Sequence, residues 1–572
     1  MTRTFFKILI LTFAAAAAVF ASPIPAAYAE DGGLRQAPLD PAFLQYLEAL
    51  KLRGAPAPLK TRTGHRLGKI PSPTTAIAGP PPSAGAKSGA QVSYPSAYDL
   101  RDHNKLTPVK NQGNCGSCWA YAAMSSMESY FKPGETLDLS EADLDVNSGF
   151  DSGSCNGGDD KMSAAYMTRW DGPVVEGSTT VVKHAQNILL LTRRTGPADN
   201  DRIKAALLAY GGLGVAFYYD DGYYNPGTSS FYANISANDY VSNHEVTLVG
   251  WDDNYSKTNF LAAPPGDGAF ICKNSWDTDW GDSGYFYVSY YDGLFGRDAY
   301  VSAFTGEGIG NYTTLYSYDK LGWVADLGYS TTTAWYSNIF TAAGNEKIKA
   351  AGFYTNDAYT DYTVYLYLGV TAGLPTSGTL AYSASGSFSS PGYYTVPVGY
   401  QPVTGGQLFS VVVKATNAGY KYPVPVEAKL AGYSSLASSS GRSYVSRDGA
   451  AWDALTVLYS SYTNVNLKAY STRDLPSGTA ALTDNLLRPL KNPAAKCRIA
   501  VTVYAAGNVA VKAYTTNGGL VKTIYNGPQN SGAFTYFWDG KTENGNLVAS
   551  GLYLINITGP NTNITEKVVV IK

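Results

Sequence analysis

The sequence predicts an α+β domain followed by two all-β sandwich domains, and three observations lead to this fold class. The chain has 572 residues, which is too long for a single domain. Charged residues are sparse while Gly (59) and Tyr (46) are abundant, a composition typical of long β-rich stretches. The apolar period also changes along the chain, from helical near residue 118 to strand-like further on.

The α+β domain is expected at residues 92–306. A helical half comes first, and a strand half follows, which describes two layers with a seam between them. Helical periodicity begins at residue 118 and returns over residues 201–209, and strand-like runs lie at residues 214–218, 245–250 and 284–288.

The two β sandwiches are expected at residues 311–472 and 494–572, with a linker at 473–493. Each has short alternating strands bounded by Gly, Ser and Pro turns, which is the pattern of a sandwich. The strand-like runs lie at residues 362–367 and 408–413 in the first sandwich and at 497–504, 534–538 and 551–555 in the second.

The N-terminus, residues 1–29, has the pattern of a secretory signal. Arg3 and Lys7 flank the start of an apolar run, and Ala27 and Ala29 offer a cleavage site. The run is short of the roughly 18 apolar residues that a membrane span needs. We therefore expect a secreted or cell-surface protein with no membrane span in the mature chain. The net charge of −2 gives no basic surface for nucleic acid.

Residues 30–91 form a Pro- and Ala-rich leader between this signal and the first domain. Within the leader, residues 41–50 carry Phe43, Tyr46 and Leu47 on one face of a predicted helix. Such a helix either docks on a following domain or belongs to an unstructured spacer. The sequence leaves both open, and with them the hypothesis that the leader inhibits a precursor.

Residues 112–119 (QGNCGSCW) place Cys115 and Cys118 three positions apart. A redox pair is one interpretation of this spacing. However, Cys118 opens a predicted helix, and the positive end of a helix dipole favours a thiolate. The chain has five cysteines, an odd number, which fits one of them staying free. Cys118 is therefore a candidate nucleophile that requires a base.

The best candidate for this base is His244, one of four histidines. It directly precedes an apolar strand, so it lies at a strand end, where a cleft can form. His65, in the basic part of the leader, and His103 and His184 are expected to be surface or packing residues.

Asn274 is the candidate partner of His244. Its amide oxygen could accept the proton of one imidazole nitrogen, which fixes the tautomer and leaves the other nitrogen for Cys118. Trp276, two residues further on, could keep water away from this hydrogen bond.

Taken together, these motifs resemble the papain-like cysteine peptidases. In that family a His and an Asn follow the Cys by roughly 130–150 residues, and His244 and Asn274 follow Cys118 at close to these intervals. The resemblance covers about residues 94–303, and its motifs are YPSAYDLR (94–101), TPVKNQGNCGSCWA (107–120), CNGG (155–158), NHEV (243–246) and KNSW (273–276).

The resemblance implies a role for each matching residue. Cys118 would be the nucleophile, His244 the general base and then acid, and Asn274 the residue that orients His244. The side chain of Gln112 and the backbone N–H of Cys118 would stabilise the oxyanion. Cys115 would form a disulfide with Cys155. The substrate-binding residues would be Gly157, Gly158, Asp159, Asp160, Asn243 and Trp276, with Gly158 offering backbone hydrogen bonds to an extended peptide.

Three departures from the family pattern matter. The family's other disulfides have no counterpart, since Cys272 and Cys497 fall in different domains. Many relatives carry an aromatic–Pro pair in their second specificity pocket, whereas this chain has Asp159 and Asp160. An acidic wall there would weaken the preference for a bulky apolar side chain and could favour Lys or Arg. The leader also lacks the family's long helical pro-region.

The two β domains resemble known modules. Residues 311–471 resemble the lectin-like domain behind some prokaryotic papain-like peptidases, through TAWYSN (333–338), GFYT (352–355), PVPVE (423–427) and GRSYVS (441–446). The last block resembles the Ig-like module of flagellar hook-capping proteins, through FWDGK (537–541), NGN (544–546), SGLY (550–553) and KVVVIK (567–572). The first resemblance does not imply sugar binding, and the second leaves a sorting signal or a spacer open.

We therefore expect an exported cysteine endopeptidase that hydrolyses polypeptides through an acyl-enzyme, with no cofactor and no metal. Contact with a cell surface or a glycan through the β domains is left open. A surface adhesin on a peptidase scaffold is an alternative, although it would be expected to have lost Cys118, His244 or Gln112. A transpeptidase uses the same acyl-enzyme and is the other alternative.

Overall fold

The structure is a computed structural model that describes residues 33–53, 59–75, 77, 93–459, 462–472, 479–480, 486–487, 496–503, 507–530, 532–559 and 562–571. The predicted signal sequence and the predicted junction between leader and first domain lie outside these residues. The chain divides into two compact units, Met1–Thr472 and Arg473–Lys572, which are described separately. Among the described residues, no helix has the length and apolar character that crossing a membrane requires.

The described residues contain six α-helices. They are α1 (Pro41–Arg53), α2 (Cys118–Phe131), α3 (Glu141–Asn147), α4 (Asp160–Thr168), α5 (Asp201–Tyr210) and α6 (Leu455–Leu458). Short 3₁₀ turns lie at Leu100–His103, Asp221–Tyr223, Lys257–Asn259 and Ile309–Asn311.

The strands of the first unit are β1 (Arg35–Gln36), β2 (Ala97–Asp99), β3 (Lys183–Leu191), β4 (Leu213–Phe217), β5 (Tyr224–Asn225), β6 (Ser230–Phe231), β7 (His244–Asp252), β8 (Ala269–Lys273), β9 (Tyr285–Ser289), β10 (Val301–Gly308), β11 (Thr314–Tyr316), β12 (Ala325–Gly328), β13 (Thr333–Thr341), β14 (Glu346–Thr355), β15 (Thr360–Leu368), β16 (Thr379–Phe388), β17 (Gly392–Val403), β18 (Leu408–Thr416), β19 (Val424–Ala428), β20 (Ser443–Ser446), β21 (Asp453–Ala454), β22 (Thr463–Val465) and β23 (Leu467–Thr472). Those of the second unit are β24 (Thr479–Ala480), β25 (Leu486–Leu487), β26 (Cys497–Val503), β27 (Gly507–Thr515), β28 (Leu520–Gln529), β29 (Gly532–Trp538), β30 (Gly551–Gly559) and β31 (Thr562–Val570). The predicted fold class, an α+β domain followed by β-rich domains, is confirmed.

Helix α2 is the central element of the helical half, and its apolar face is buried with Ala120, Met124 and Met127 inaccessible to solvent. Two polar contacts attach it to the strand half. The Ser126 hydroxyl donates to the carbonyl of Gly212 (2.6 Å) and accepts from the backbone N–H of Phe304 (3.1 Å). These bonds fix the position of the helix that begins at Cys118.

The strand half brings two distant segments to one edge. Its strands run in the order β10–β4–β7–β8–β9, and β7 pairs antiparallel with β8. The start of β7, at His244, therefore lies beside the end of β8, directly before Asn274. A hydrogen-bonded antiparallel pair holds these two ends at a fixed spacing.

The predicted first β domain (residues 311–472) is joined to the α+β domain by one continuous sheet. Strand β17 pairs with β3, with Gly392 opposite Leu189, so both domains contribute to a sheet of 13 strands. Gly392 has a φ of +145°, and a Cβ there would lie 2.1 Å from the carbonyl oxygen of Ile188. Glycine is therefore required where the two domains meet.

The leader docks on this first β domain. Strand β1 pairs antiparallel with β12, and α1 follows it. Phe43 is fully buried, and its ring meets that of Tyr433 edge-on at 5.3 Å between centroids. Of the two interpretations of this segment, a docked helix is therefore confirmed.

The second unit is a small sandwich. A five-stranded sheet (β25–β31–β30–β27–β28) and a three-stranded sheet (β24–β26–β29) enclose its core. Ile499, Val511, Trp538 and Ile555 are fully buried there. The alternation of apolar residues in the predicted strands produces this core.

Candidate active site

Cys118 is the first residue of α2 and is completely buried. Helix α2 receives no side-chain cap from Ser117, the residue before it. Free backbone N–H groups and the helix dipole stabilise negative charge at such a helix start. The location is therefore suited to a thiolate, as the sequence predicted.

His244 and Asn274 meet as the strand pairing requires. The imidazole Nε2 and the amide Oδ1 of Asn274 are 2.9 Å apart. This oxygen also accepts the backbone N–H of Ser275 at 2.9 Å, so Nε2 carries the proton and donates it. Within the part of the chain that the structure describes, His244 Nδ1 has no hydrogen-bond partner. The unprotonated nitrogen is thus left to accept a proton.

Trp276 covers this pair. Its ring lies 4.6 Å from that of His244, nearly parallel at 23°, and only 2 % of the residue is exposed. The aromatic cover excludes water from the bond between His244 and Asn274, and a hydrogen bond in such a setting is stronger than one in water.

Gln112 is held by both halves. Its Oε1 accepts from the Ser275 hydroxyl at 2.6 Å. Its Nε2 donates to the carbonyl of Cys115 at 2.7 Å and to the carbonyl of Arg66, in the leader, at 3.1 Å. A carbonyl oxygen of an extended chain therefore already occupies one donor of the predicted oxyanion site.

The disulfide between Cys115 and Cys155 is confirmed. Cys118, Cys272 and Cys497 are not part of a disulfide, and all three are buried. Cys115 and Cys118 are therefore not a redox pair. The bridge joins the loop before α2 to the loop that contains Gly157 and Gly158.

The leader crosses this loop in extended form. The backbone N–H of Gly158 donates to the carbonyl of Gly68 (2.9 Å), and its carbonyl accepts from Ile70 (3.1 Å). On the other side, the backbone N–H of Lys69 donates to the carbonyl of Asn243 (3.1 Å). The leader thus adds to the backbone as a strand would, between two segments that the sequence predicts to bind substrate.

Three glycines make this approach close enough. A Cβ on Gly68 would lie 2.0 Å from the carbonyl oxygen of Gly116, and one on Gly158 would lie 2.4 Å from the ring of Trp119. Gly157 has a φ of +102°, and its Cβ would lie 2.9 Å from the Gly68 carbonyl oxygen. The leader therefore fits at this place because Gly68, Gly157 and Gly158 have no side chains.

The two predicted pocket aspartates have different surroundings. Asp159 is the N-cap of α4, where its carboxylate accepts from the backbone N–H groups of Lys161 and Met162, both at 3.0 Å. Its other oxygen accepts from the Tyr433 hydroxyl at 2.9 Å. Asp160, by contrast, contacts the leader through an ion pair with Lys69 at 2.7 Å.

Sequence reasoning missed Lys69 and Glu245. Lys69 Nζ also lies 2.7 Å from Glu245 Oε2, so one ammonium group contacts two carboxylates. A glutamate beside His244, at the start of an otherwise apolar strand, was the available signal. Its partner is 176 residues away in the chain, and no local pattern connects the two.

In the precursor, the thiol and the imidazole are both neutral. Burial, followed by the nearby Glu245 carboxylate, raises the pKa of the Cys118 thiol to about 12, although backbone N–H groups of Glu245 and Gly68 oppose this. Burial lowers the pKa of His244 to about 4, against the effect of Asn274. With the leader in place, burial therefore has a larger effect on the pKa of the Cys118 thiol than the N-terminus of α2 has.

An α+β fold with a thiol at a helix start and an imidazole held by an amide is the arrangement expected of an enzyme that uses a thiol nucleophile. Residues 94–302 match the family model described as papain family cysteine protease. Residues 315–471 match the lectin like domain, and residues 494–563 match the FlgD Ig-like domain.

Similar proteins agree with this class. The viral cathepsin of Cydia pomonella granulosis virus is 31% identical over 241 residues, which are 40% of this chain and 68% of that protein. A cysteine protease of Blomia tropicalis is 27% identical, with 34% of this chain and 61% of that protein covered. The chain belongs to the papain family of cysteine proteases. It spans about three fifths of the length of the Blomia tropicalis protein and of a cathepsin L-like peptidase of Aedes aegypti.

Two solved structures share the fold. The cysteine protease and lectin-like domains of Cwp84, a surface layer associated protein of Clostridium difficile, align with a TM-score of 0.64 at 23% identity, over 77% of this chain and 99% of that one. A variant of the same clostridial cysteine protease, solved after propeptide cleavage, aligns with a TM-score of 0.58 at 24% identity, over 66% of this chain and 100% of that one. The likeness extends across the α+β domain and the first β domain.

Proposed function

We propose that this protein is the precursor of an exported cysteine endopeptidase, and that its leader blocks the active site until it is removed. The observation that carries the proposal is the extended leader bound to Gly158 and Asn243 directly beside the buried Cys118. A cleft that binds one extended chain through its backbone can bind another. Export rests on the predicted signal sequence.

The proposed reaction uses the side chains described above. His244 takes the proton of Cys118, and the thiolate attacks the carbonyl carbon of the substrate. The C–S bond forms while the carbonyl oxygen becomes negative, held by Gln112 Nε2 and the backbone N–H of Cys118. The C–N bond then breaks, and His244 gives its proton to the leaving amine. Water, deprotonated by His244, hydrolyses the acyl-enzyme and regenerates the thiol.

Inhibition follows from the same contacts. The Arg66 carbonyl occupies Gln112 Nε2, and Gly68 lies against Gly116 next to the thiol. The buried thiol and imidazole stay uncharged, so the reactive thiolate is scarce. Removal of the leader would admit water and substrate and would free the amide donor.

Labelling with an epoxide reagent directed at catalytic thiols tests the proposal. We expect the leader-free protein to react at one cysteine and to cleave peptides, and Cys118→Ala to do neither. Cys272→Ala is the matched control, because Cys272 is also a buried free cysteine, yet it should keep both properties. Equal labelling of Cys118→Ala, or transfer of the acyl group to amines without hydrolysis, would contradict an endopeptidase.

The leader block should weaken in acid because of His65. This residue stacks on Trp276 (4.6 Å between centroids, 12°), and burial lowers its pKa although Asp221 and Asp279 oppose this. An unbound leader histidine has a pKa of about 6.5. Docking thus favours neutral His65. The docked leader therefore has its full stability only above about pH 6.5, and protonation of His65 at lower pH opposes docking.

We therefore expect Cys118 in the intact precursor to be labelled faster at about pH 5 than at about pH 7.5, two values on either side of the usual histidine pKa. Each labelling rate is divided by that of the leader-free enzyme at the same pH. His65→Phe keeps an aromatic ring on Trp276 but cannot titrate, so it should flatten this dependence. His103→Phe is the control, since His103 also stacks on a ring, that of Tyr98, at 4.5 Å. Identical profiles for His65→Phe and the natural protein would refute the assignment.

A further inference from the structure

A buried ion cluster lies beside the proposed active site. Lys69 contacts Asp160 and Glu245, both at 2.7 Å, and the three side chains are 4%, 9% and 1% exposed. The cation belongs to the leader, whereas both carboxylates belong to the α+β domain. Removal of the leader would therefore take away the ammonium group and leave the two carboxyl groups behind.

The α+β domain builds this carboxylate pocket from separate elements. Asp160 is the first residue of α4 and accepts from the Ser302 hydroxyl at 2.6 Å. Glu245 is the second residue of β7. Gly214, on the neighbouring strand, leaves the space: a Cβ there would lie 2.5 Å from Ser302 Oγ and 3.2 Å from Glu245 Oε1. Asp160, Glu245 and Gly214 thus lie on α4, β7 and β4, which are all elements of the α+β domain.

The electrostatics of the pocket favour a cation. The pKa of Glu245 is raised well above its usual value by burial and by the adjacent Asp160. Burial acts on Asp160 in the same direction, but Lys69 and a hydrogen bond from Glu245 outweigh it and hold the pKa of Asp160 down. Glu245 Oε1 has no hydrogen-bond partner within the described residues. Buried carboxylates without a counter-ion are costly, and a cationic side chain offsets that cost where an apolar one does not.

The backbone contacts direct a side chain into this pocket. The residue held between the Asn243 carbonyl and Gly158 is Lys69, and its side chain reaches Asp160 and Glu245. A different extended chain bound in the same place would put one side chain there as well. Resting on the proposed function, we infer that Asp160 and Glu245 select substrates with Lys or Arg at the position that enters this second specificity pocket.

A peptide library tests the inference on the leader-free natural enzyme. Each position on the N-terminal side of the scissile bond carries Lys, Arg, norleucine, Leu or Glu in turn. Norleucine matches the aliphatic stem of Lys but has no charge. We expect a preference for Lys or Arg over norleucine of about 10-fold or more in kcat/KM, at one position only, since hydrogen bonds to charged groups are the strong ones.

Variants assign that preference to the pocket. Glu245→Gln and Asp160→Asn should each lower the ratio of Lys to norleucine cleavage, mainly through KM, while the cleavage of norleucine peptides stays measurable. Asp298→Asn is the matched control: this half-buried carboxylate lines the same cavity as Lys69 and Asp160, but it accepts from Ser242 (2.6 and 2.7 Å) and should leave the ratio unchanged. If a variant does not fold, the ratio measured on the natural enzyme still decides.

The two proposals fail differently. Efficient cleavage with norleucine or Leu preferred at every position overturns the pocket inference and leaves the endopeptidase standing. If no peptide is cleaved and Cys118 is not labelled, the endopeptidase is overturned. In that case, direct binding of the peptide HRLGKIPSP (residues 65–73) to the leader-free Cys118→Ala protein decides, because replacing its Lys69 by norleucine should weaken binding about 10-fold. Equal binding of both peptides overturns the inference.

Discussion

Replacing His244 with alanine is expected to lower kcat/KM for peptide hydrolysis by about 10²–10⁴-fold, the usual contribution of a general acid–base residue. The imidazole is held by Asn274 at 2.9 Å and covered by Trp276, so its position and tautomer are set before substrate binds. The measurement is steady-state cleavage of a fluorogenic peptide by the leader-free enzyme, with the amount of folded enzyme determined independently.

His184→Ala is a close control for this experiment. Like His244, His184 is buried and stacked on a tryptophan, with its ring 3.8 Å from that of Trp170. Burial also lowers its pKa to about 4. It lies on β3, which β10 and β4 separate from β7, the strand of His244. The His184→Ala substitution should destabilise the protein, but each folded molecule should still cleave the peptide at the normal rate. Equal losses in both variants would assign His244 a packing role.

Placing a side chain at Gly68 is expected to activate the precursor without cleavage of the leader. In Gly68→Val, the new Cβ would lie 2.0 Å from the backbone carbonyl oxygen of Gly116, and a backbone atom cannot move aside cheaply. The segment should leave the cleft, so that Cys118 is labelled and peptides are cleaved at rates within about 10-fold of the leader-free enzyme, the remaining loss being competition from the tethered leader.

Electrophoresis after the assay must show an intact leader, since processed enzyme would give the same activity. Gly64→Asn is the matched control. Gly64 also belongs to the leader, has a φ of +98°, and has no atom within 4 Å of a Cβ placed there. Asn tolerates positive φ better than other residues, so this precursor should stay blocked. If the Gly68→Val precursor is neither labelled nor active, inhibition does not depend on the close contact between Gly68 and Gly116.

The sequence predicted most of the local structure because its signals are local. A predicted strand at residues 214–218 corresponds to β4, Leu213–Phe217, and a helix predicted over 201–209 corresponds to α5, Asp201–Tyr210. Cys118, His244 and Asn274 were found by motif, and the structure brings His244 and Asn274 into hydrogen-bond contact. Their roles in catalysis stay predictions until the variants are measured.

What the sequence did not predict depends on pairings between distant segments. The sheet shared by two domains rests on β17 meeting β3, and Gly392 alone gives no sign of that partner. The contact of Lys69 with Glu245 likewise needs the leader to be in the cleft. A charged residue in a leader is usually solvated, so only tertiary structure could reveal this pair.

The leader is attached at two separate places, and this determines how its block can be lost. Residues 35–53 bind to the first β domain, and residues 59–75 lie in the cleft. A ligand with two linked binding segments gains an effective local concentration that can raise avidity by about 10²–10⁴-fold. A single cut at the junction with the mature chain would therefore leave the leader bound through both segments, and a second cut in residues 54–58 would be needed to cancel that gain.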